Sequence, residues 1–341
     1  MDDVARVAGV SAITVSRALR TPEKVRPLTL ERVLAAVKAT SYQVNPIASS
    51  LRSGRSSFVS VFVSSLRNEH FANAVQGALD AFEGSRFRLL FEHTGSGEEL
   101  AVERVQALQP LRPAAIMVTG AVGSVATRDL LRGLGVPVME LWAESADPVD
   151  MLANAPAHEG GRLVGRHLAG LGRRSVAYVG STGPRAQSRL KGLADGLAES
   201  GVQPGLIVAL EKGRLIEDGM SALDVVMERL PGCDAIFFGS DVLAAGGMLR
   251  ALERSIDIPG QVAIAGYGDL YFAGHTLPAL TSVNISDYQV GRRAGEMLLA
   301  RLNGRPVDPR VWLAPVTLKA RASTEGGPHS RGLEALLAVA K

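Results

Sequence analysis

Apolar runs of strand length alternate with helical patterns through most of this 341-residue chain, from Ser57 onward. One set of such runs precedes residue 157, and a second, similar set begins near residue 158. Strands separated by helices pair in parallel and are covered by helices. The pattern predicts a body of two doubly wound parallel α/β lobes, with the strand-like runs SFVSVFV, RFRLLFEH, AAIMVTG and VPVMELW in the first and SVAYVG, LIVAL, DAIFFG and QVAIAGYG in the second.

Two open sheets that face each other form a cleft, and ligands of such sheets bind beyond the carboxyl ends of the strands. We therefore predict a small-molecule site from the residues that follow the strand-like runs. These are Asn68, Phe71, His93, Thr94 and Thr119 in the first half, and Ser240, Asp241 and Asp269 in the second. Two alternatives remain open, because Ser240 can be a helix N-cap alone and Asp269 a turn residue alone.

The first 45 residues predict a separate all-α unit. Residues 2–8 have apolar side chains at helical spacing, Gly9 ends this helix, and Ser11 caps a second helix over residues 12–19. Two short helices joined by a glycine-containing turn are typical of the helix-turn-helix, whose second helix enters the DNA major groove. A generic helical hairpin with a solvated arginine is the alternative. The predicted DNA contacts are Ser11, Ala12, Ile13, Thr14, Ser16 and Arg17.

The charge distribution also favours a nucleic-acid partner for this unit. Residues 1–57 contain nine Lys or Arg and four Asp or Glu, a net charge of +5 in a chain whose formal net charge is +3. A basic segment on a slightly acidic body indicates that the first part meets a polyanion. Within this segment, Arg17 can donate two hydrogen bonds to a guanine, and Ala12 and Ile13 can contact a thymine methyl.

Two further helices are predicted before the body. The run LTLERVLAAVKATSY predicts a third helix with Thr29 as its cap, and its apolar face consists of Leu30, Val33, Leu34 and Val37. In NPIASSLRSGRSS, Asn45 is a cap, Pro46 fits the first helical position and Gly54 marks the stop. An isolated helix of about eight residues does not offset the cost of nucleation. This segment is therefore predicted to fold only against something else.

The runs DVARVAGVSAITVSRAL and VRPLTLERVLAAVKATSYQVNPIASSLRSGRS resemble the DNA-binding head and hinge of the lactose-repressor family of bacterial transcription regulators. The resemblance implies a homodimer that binds double-stranded DNA at a palindromic operator. In that family, hinge helices of two subunits pair in the minor groove and each inserts a leucine. The matching residue is Leu51, with Ala48 beside it and Asn45 at the start of the helix. A linker leucine that contacts the body is the alternative.

One departure from the family lies at the start of the chain. The family usually has several residues before this point, including a Ser or Thr that caps the first helix, whereas this sequence starts at Met1. We expect either a frayed first helix with one phosphate contact missing, or a true start upstream.

From Ser57 to about Thr324 the chain resembles the family's effector domain, which is similar to periplasmic sugar-binding proteins. Arg189 stands at the position where the family has an arginine that binds the effector, so the resemblance implies this role for it. The alternative is an arginine that is only solvated. The expected domains are a helix-turn-helix head (1–45), a hinge helix and linker (46–56), an effector-binding and dimerisation domain (57–324) and a C-terminal extension (325–341). Its lobes are expected over 57–156 and 157–284, with 285–324 crossing back.

Several segments resemble the gluconate-operon repressor branch of the family, namely SSLRNEHFANAVQG, EHTG, ELWAESADPVDM and GYGD. The chain departs from this branch at residues 156–158, where Pro-Ala-His replaces a common Phe-Ser-Asn run. Together with Arg185 and Lys191 near Arg189, the resemblance predicts a sugar acid or its lactone as effector. Arg189 would bind the carboxylate or a vicinal diol. Asp241 or Asp269 would accept hydrogen bonds from hydroxyls, and Phe71 or Trp142 would cover the carbon chain.

Other classes of protein fit the sequence less well. The six histidines show no metal-binding spacing, and no catalytic, Walker or dinucleotide motif is present, so we predict no enzyme activity, metal or cofactor. Cys233 lies in an apolar run and is predicted to be a buried, inert thiol. The N-terminus has no apolar leader, which favours the cytoplasm. A periplasmic solute-binding protein, the alternative from another class, would need such a leader. Within the family, the alternative to a repressor is an activator or a corepressor-dependent regulator.

Overall fold

The structure is a computed structural model that describes residues 1–42, 56–65, 69–94, 100–120, 122–145, 147–211 and 215–325. The chain divides into two compact units, Met1–Ser57 and Phe58–Lys341. None of the helices within the described ranges combines the length and the apolar character that are needed to span a bilayer.

The N-terminal unit is helical, as predicted. Its helices are α1 (Asp2–Ala8), α2 (Ala12–Arg20) and α3 (Pro27–Ala39), with a 3-10 turn at Pro22–Lys24. Gly9 ends α1 in the left-handed region, with φ 63°, which a glycine adopts without steric strain. The three helices share a small apolar core that includes Val4, Ala8, Val15, Ala18, Val33 and Ala36.

Two details predicted for α3 are wrong. The helix begins at Pro27, whose fixed φ suits the first helical position, and it has no side-chain cap, so Thr29 lies inside the helix. Leu34 is 50% exposed, whereas Ala36 is 2% exposed. The buried stripe of α3 is therefore centred on Val33 and Ala36, which pack in the core shared with α1 and α2.

The first lobe of the larger unit contains a six-stranded sheet. Its strands are β1 (Phe58–Val63), β2 (Arg88–His93), β3 (Ala115–Thr119), β4 (Val138–Leu141), β5 (Met151–Asn154) and β11 (Val311–Leu313). They are all parallel, in the order β11-β5-β4-β3-β1-β2. One face packs on α4 (Glu69–Phe82) and α11 (Asp287–Leu302), and the other on α5 (Val102–Ala107) and α6 (Val125–Gly133).

The second lobe repeats this architecture. Its strands are β6 (Val176–Ser181), β7 (Pro204–Leu210), β8 (Ala235–Phe238), β9 (Ala263–Gly268), β10 (Thr281–Asn284) and β12 (Thr317–Lys319), in the order β12-β10-β9-β8-β6-β7. Only the β10–β12 pair is antiparallel among these described strands. Its helices are α7 (Ala157–Gly170), α8 (Pro184–Ala198), α9 (Ile216–Arg229), α10 (Asp241–Glu253) and α12 (Ala322–Glu325). The two doubly wound lobes predicted from the alternation are confirmed.

The described chain passes between the two sheets at residues 155–156, 285–286 and 314–316. Consequently α11 returns to the first lobe and packs on α4, while β12 and α12 belong to the second lobe. Because parallel strands end at one edge of each sheet, these crossings bring the carboxyl edges of both sheets to the region between the lobes.

Cys233 is 4% exposed, which confirms the predicted burial. Burial raises the pKa of its thiol to about 11, so the thiol stays protonated and weakly nucleophilic at neutral pH.

Glu140 in β4 is an unexpected buried carboxyl group, with an exposed fraction of 0%. Its Oε1 accepts a hydrogen bond from the Val149 backbone at 2.6 Å, whereas Oε2 has no partner among the described residues. Burial raises the pKa of Glu140. A carboxyl whose pKa rises on folding makes a contribution to stability that is fully present below its unfolded pKa and is lost as the pH rises through the folded pKa.

We therefore expect Glu140→Gln to be more stable than the wild-type protein at about pH 8, with a higher free energy of unfolding, because the amide carries no charge to desolvate. The difference should shrink towards about pH 5, because a buried carboxyl with a raised pKa takes up its proton more readily as the pH falls. Urea titrations at the two pH values measure both quantities. A difference that grows at the lower pH would contradict the assignment.

Candidate functional sites

Helix α2 of the N-terminal unit presents the predicted DNA contacts. Ser11 caps the helix as predicted, since its Oγ accepts a hydrogen bond from the Thr14 backbone at 3.2 Å. Ile13 is 71% exposed and Arg17 is also exposed, whereas Val15 is fully buried. Ala12, Thr14 and Ser16 are half-buried. The helix thus has one packed face and one accessible face that includes Ile13 and Arg17.

Arg32 of α3 contributes to this unit in a way that the sequence did not suggest. Its Nη2 donates to the carbonyl oxygens of Ala8 at 2.5 Å and Gly9 at 3.4 Å. A cation at the end of a helix stabilises carbonyl groups that have no partner within the helix. Arg32 therefore fastens the turn between α1 and α2 to α3.

Four predicted contacts lie outside the described residues. They are Asn45, Ala48 and Leu51, predicted for DNA, and Asn68, predicted for the effector.

In the larger unit, Arg189 on α8 is packed against aromatic rings. Its guanidinium carbon lies 4.3 Å from the centre of the Tyr267 ring. Burial opposes its charged form, but the Tyr178 and Tyr267 phenols outweigh this effect and raise the pKa of Arg189. Its Nε is buried without a hydrogen-bond partner among the described residues, and so is the Tyr267 hydroxyl. No carboxylate of the described chain forms an ion pair with Arg189.

Arg185, one turn earlier on α8, is instead bonded across the lobes. Its Nη1 donates to the Trp142 carbonyl oxygen at 3.0 Å and to Asn154 Oδ1 at 2.9 Å. The same nitrogen lies 3.3 Å from Glu144 Oε1, and Ser188 Oγ donates to Glu144 Oε2 at 3.1 Å. We call the contacts of Glu144 with Arg185 and Ser188 the Glu144 bridge. The bridge joins the loop after β4 in the first lobe to α8 in the second.

Trp142 follows β4 at the edge of the first sheet. It is 2% exposed and has φ 58°, a backbone conformation that bulky residues rarely adopt. Its ring packs edge-on against Phe71, with ring centres 5.1 Å apart. The indole N–H is buried without a partner among the described residues. Phe71, Trp142 and Arg185 therefore form a connected group at the meeting of the lobes, and Arg189 follows Arg185 by about one turn of α8.

A second polar group lies near the start of α4. Asp287 Oδ2 is 3.1 Å from His70 Nδ1 and accepts a hydrogen bond from Asn73 at 3.1 Å. A side chain at Gly268, which ends β9, would collide with the His70 ring. His70 of the first lobe thus lies directly against the end of β9 in the second lobe.

The acids predicted for the effector have partners within the second lobe. Asp241 is 0% exposed and accepts hydrogen bonds from Ser282 Oγ at 2.5 Å and from the Leu270 backbone at 2.7 Å. Burial raises its pKa. Asp269 lies 2.6 Å from Arg321 and accepts a hydrogen bond from Asn284 at 2.9 Å. Asp241 is therefore enclosed within the second lobe. Asp269 is partly exposed and remains a predicted effector contact.

The remaining predicted residues are distributed along strand ends. Ser240 caps α10 by accepting from the Leu243 backbone at 3.3 Å. Thr119 donates to the Phe62 carbonyl oxygen at 3.2 Å and accepts from the Ser64 backbone, so its hydroxyl is used within the first lobe. Thr94 is fully buried, and His93 is exposed on β2.

The sequence did not point to Glu144, Asn154 or Tyr267 as members of the site. Tyr267 is the penultimate residue of the run AIAGYG and Glu144 lies two residues after the run VPVMELW, so both stand near the end of a parallel strand. That position was the available signal. Within the described residues, no group of three or more His, Cys, Asp or Glu side chains is arranged to hold a metal ion.

Each of the two units matches a model of a known protein family. A family model described as bacterial regulatory proteins, lacI family, matches residues 1–45. A second model, described as a periplasmic binding protein-like domain, matches residues 166–324.

Known relatives match the chain over both units. The chain is 30% identical over 330 residues to the HTH-type transcriptional regulator GntR of Pseudomonas aeruginosa, with 95% of each chain covered. It is 26% identical over 329 residues to GntR of Escherichia coli K12, covering 95% of this chain and 98% of the relative. A solved LacI-family regulator from Silicibacter pomeroyi superimposes with a TM-score of 0.84 at 28% identity, covering 95% of this chain and 98% of that one.

Proposed function

Because the chain belongs to the lacI family of bacterial regulatory proteins and is therefore a DNA-binding transcriptional regulator, we propose that it represses genes of sugar-acid catabolism and that a sugar acid in its cleft sets its operator affinity. It acts in the cytoplasm as a homodimer and has no catalytic activity. We assign residues 1–45 to operator recognition, 46–56 to the hinge and 57–324 to effector binding and dimerisation.

The operator is bound by two heads that each contact one half-site of a palindrome, since the two-fold axis of a dimer matches that of the DNA. The accessible face of α2 enters the major groove, with Arg17 and Ile13 towards base edges. Leu51 of each subunit wedges into the minor groove between the half-sites, with Ala48 and Asn45 beside it.

Arg17→Ala should weaken binding to the operator by about 1–3 kcal/mol and relax the preference at one base pair in each half-site, because a bidentate contact to guanine is lost. The operator is first obtained by selection from random duplexes. Fluorescence anisotropy then compares it with a shuffled duplex at one salt concentration. An equal loss on both duplexes would assign Arg17 to a phosphate instead.

One observation supports an anionic effector: Arg189 has no counterion in the described part of the chain. A guanidinium in a poorly solvated position is unfavourable unless an anion pairs with it, and none of the described carboxylates does. The Tyr267 hydroxyl and the Trp142 indole N–H are further donors that have no partner in the described part of the chain. A ligand with a carboxylate and several hydroxyl oxygens supplies acceptors for all three groups.

Control of operator affinity follows from the position of this site between the lobes. Trp142 and Phe71 belong to the first lobe, and Arg189 and Tyr267 to the second. A ligand that contacts both lobes favours the arrangement in which it binds more tightly, and it shifts operator affinity by that difference alone.

Titration calorimetry on the full chain tests the effector class. We expect D-gluconate to bind more tightly than D-glucitol, its neutral analogue, and to change the affinity for the selected operator. Tighter binding of D-glucitol would contradict a sugar-acid effector and leave the assignment as a family member unchanged.

A further inference from the structure

The cleft contains two guanidinium groups in different electrostatic states. Arg185 and Arg189 are four residues apart on α8, so they lie on the same helix face. Arg185 is paired with a carboxylate, Glu144, at 3.3 Å, whereas Arg189 is stacked on Tyr267 and has no such partner in the described chain. The site therefore presents one uncompensated positive charge, although it contains two cations.

Glu144 is the only described carboxylate that compensates Arg185. The other acceptors of Arg185 Nη1, the Trp142 carbonyl oxygen and Asn154 Oδ1, are neutral. Both oxygens of Glu144 are engaged, one by Arg185 and one by Ser188. The exposed fractions of the two charged side chains are 24% for Arg185 and 22% for Glu144, so solvent screens this pair only partly.

The surroundings of Arg185 make this counterion necessary. Burial lowers the pKa of Arg185, and the positive charge of Arg189 acts in the same direction. Two neighbouring guanidinium groups repel each other at short range in a medium of low polarity. Without Glu144, the cleft would present two unpaired cations to a ligand.

Building on the proposed function, we propose that Glu144 determines the charge of the ligand that the cleft accepts: by neutralising Arg185 it leaves Arg189 alone, and so selects a singly charged sugar acid over a doubly charged one. Glu144 does this without contacting the ligand. Its carboxylate also repels a second negative group that approaches Arg185.

Three open-chain ligands that share six carbons isolate this property. They are D-glucitol, which is neutral, D-gluconate, which has one carboxylate, and D-glucarate, which has two. Calorimetry on the full chain gives the affinity for each ligand. Two ratios follow, D-gluconate to D-glucitol and D-glucarate to D-gluconate, and the ligands of each ratio differ by one charge. In the wild-type protein we expect D-gluconate to bind more tightly than D-glucarate.

In Glu144→Gln, which keeps the size and hydrogen-bonding capacity of the side chain, the ratio of D-glucarate to D-gluconate affinity should rise on the order of tenfold. The ratio of D-gluconate to D-glucitol affinity should shift in the same direction. Ser188→Ala removes one hydrogen bond of the Glu144 bridge but no charge, so it should leave both ratios at their wild-type values. Glu159→Gln, on the second lobe beside Arg162, is a control for charge removal elsewhere.

Unchanged ratios in Glu144→Gln would overturn the proposal, and so would an equal shift in Ser188→Ala. The proposed function is tested separately. It fails if the wild-type protein binds D-glucitol more tightly than D-gluconate, whereas the role of Glu144 is judged from the change in the affinity ratios between the wild-type protein and Glu144→Gln. Both fail if neither protein binds any of the three ligands.

Discussion

Arg189→Ala should weaken D-gluconate binding by about 2–5 kcal/mol and leave the operator affinity of the ligand-free protein at its wild-type value. The guanidinium is the one cation of the cleft without a carboxylate partner in the described chain, so a bound carboxylate depends on it. The side chain takes no part in the Glu144 bridge, and its removal therefore leaves the contacts between the lobes in place. Calorimetry and operator anisotropy on the same preparation measure the two affinities.

Two further variants separate charge from geometry. Arg189→Lys keeps the positive charge but loses the planar fork and its stacking on Tyr267, so we expect an intermediate loss. Arg162→Ala, on α7, removes an arginine that is paired with Glu159, and it should leave D-gluconate binding unchanged. If Arg189→Ala bound D-gluconate with wild-type affinity, Arg189 would not bind the carboxylate, and the sugar-acid proposal would lose its support.

The parts of the fold that the sequence predicted are those that local patterns specify. Gly9 and Ser11 marked the turn between α1 and α2, because a left-handed residue and an N-cap act on their immediate neighbours. The alternation of strand-like and helical runs predicted two doubly wound lobes, since parallel strands require covering helices. The short strands β11 and β12 were not predicted as strands, because three residues are too few to show a periodicity.

The site was predicted less well than the fold because its contacts join distant parts of the chain. Arg185 and Glu144 are 41 residues apart, and nothing in either local run indicates that they pair. Asp241 stands at a strand end like a ligand-binding acid, but Ser282, 41 residues later, and the Leu270 backbone take its oxygens. Position at a strand end thus indicates which residues reach the cleft edge, whereas partners from elsewhere decide which of them remain available.

The position of Arg189 also depends on the close packing of its helix, α8, against α7. At the crossing of α7 and α8, a Cβ built on Gly192 would collide with the His158 carbonyl oxygen and lie 2.8 Å from its carbonyl carbon. A side chain at Gly161 would collide in turn with the Arg189 carbonyl oxygen. Backbone atoms cannot rotate away as side chains do, so any added carbon must force the helices apart.

We therefore expect Gly192→Ala to lower the free energy of unfolding by about 3 kcal/mol, although alanine is the better helix former. The same substitution at Gly170, the last residue of α7, meets no atom within 4 Å and should be neutral or stabilising by about 0.5–1 kcal/mol. Urea unfolding of both variants measures this difference in sign. Because Arg189 lies one turn before Gly192 on α8, D-gluconate binding should also weaken in Gly192→Ala, but not in Gly170→Ala. A Gly192→Ala protein as stable as Gly170→Ala would show that the two helices have room to separate, and that their contact does not fix the position of Arg189.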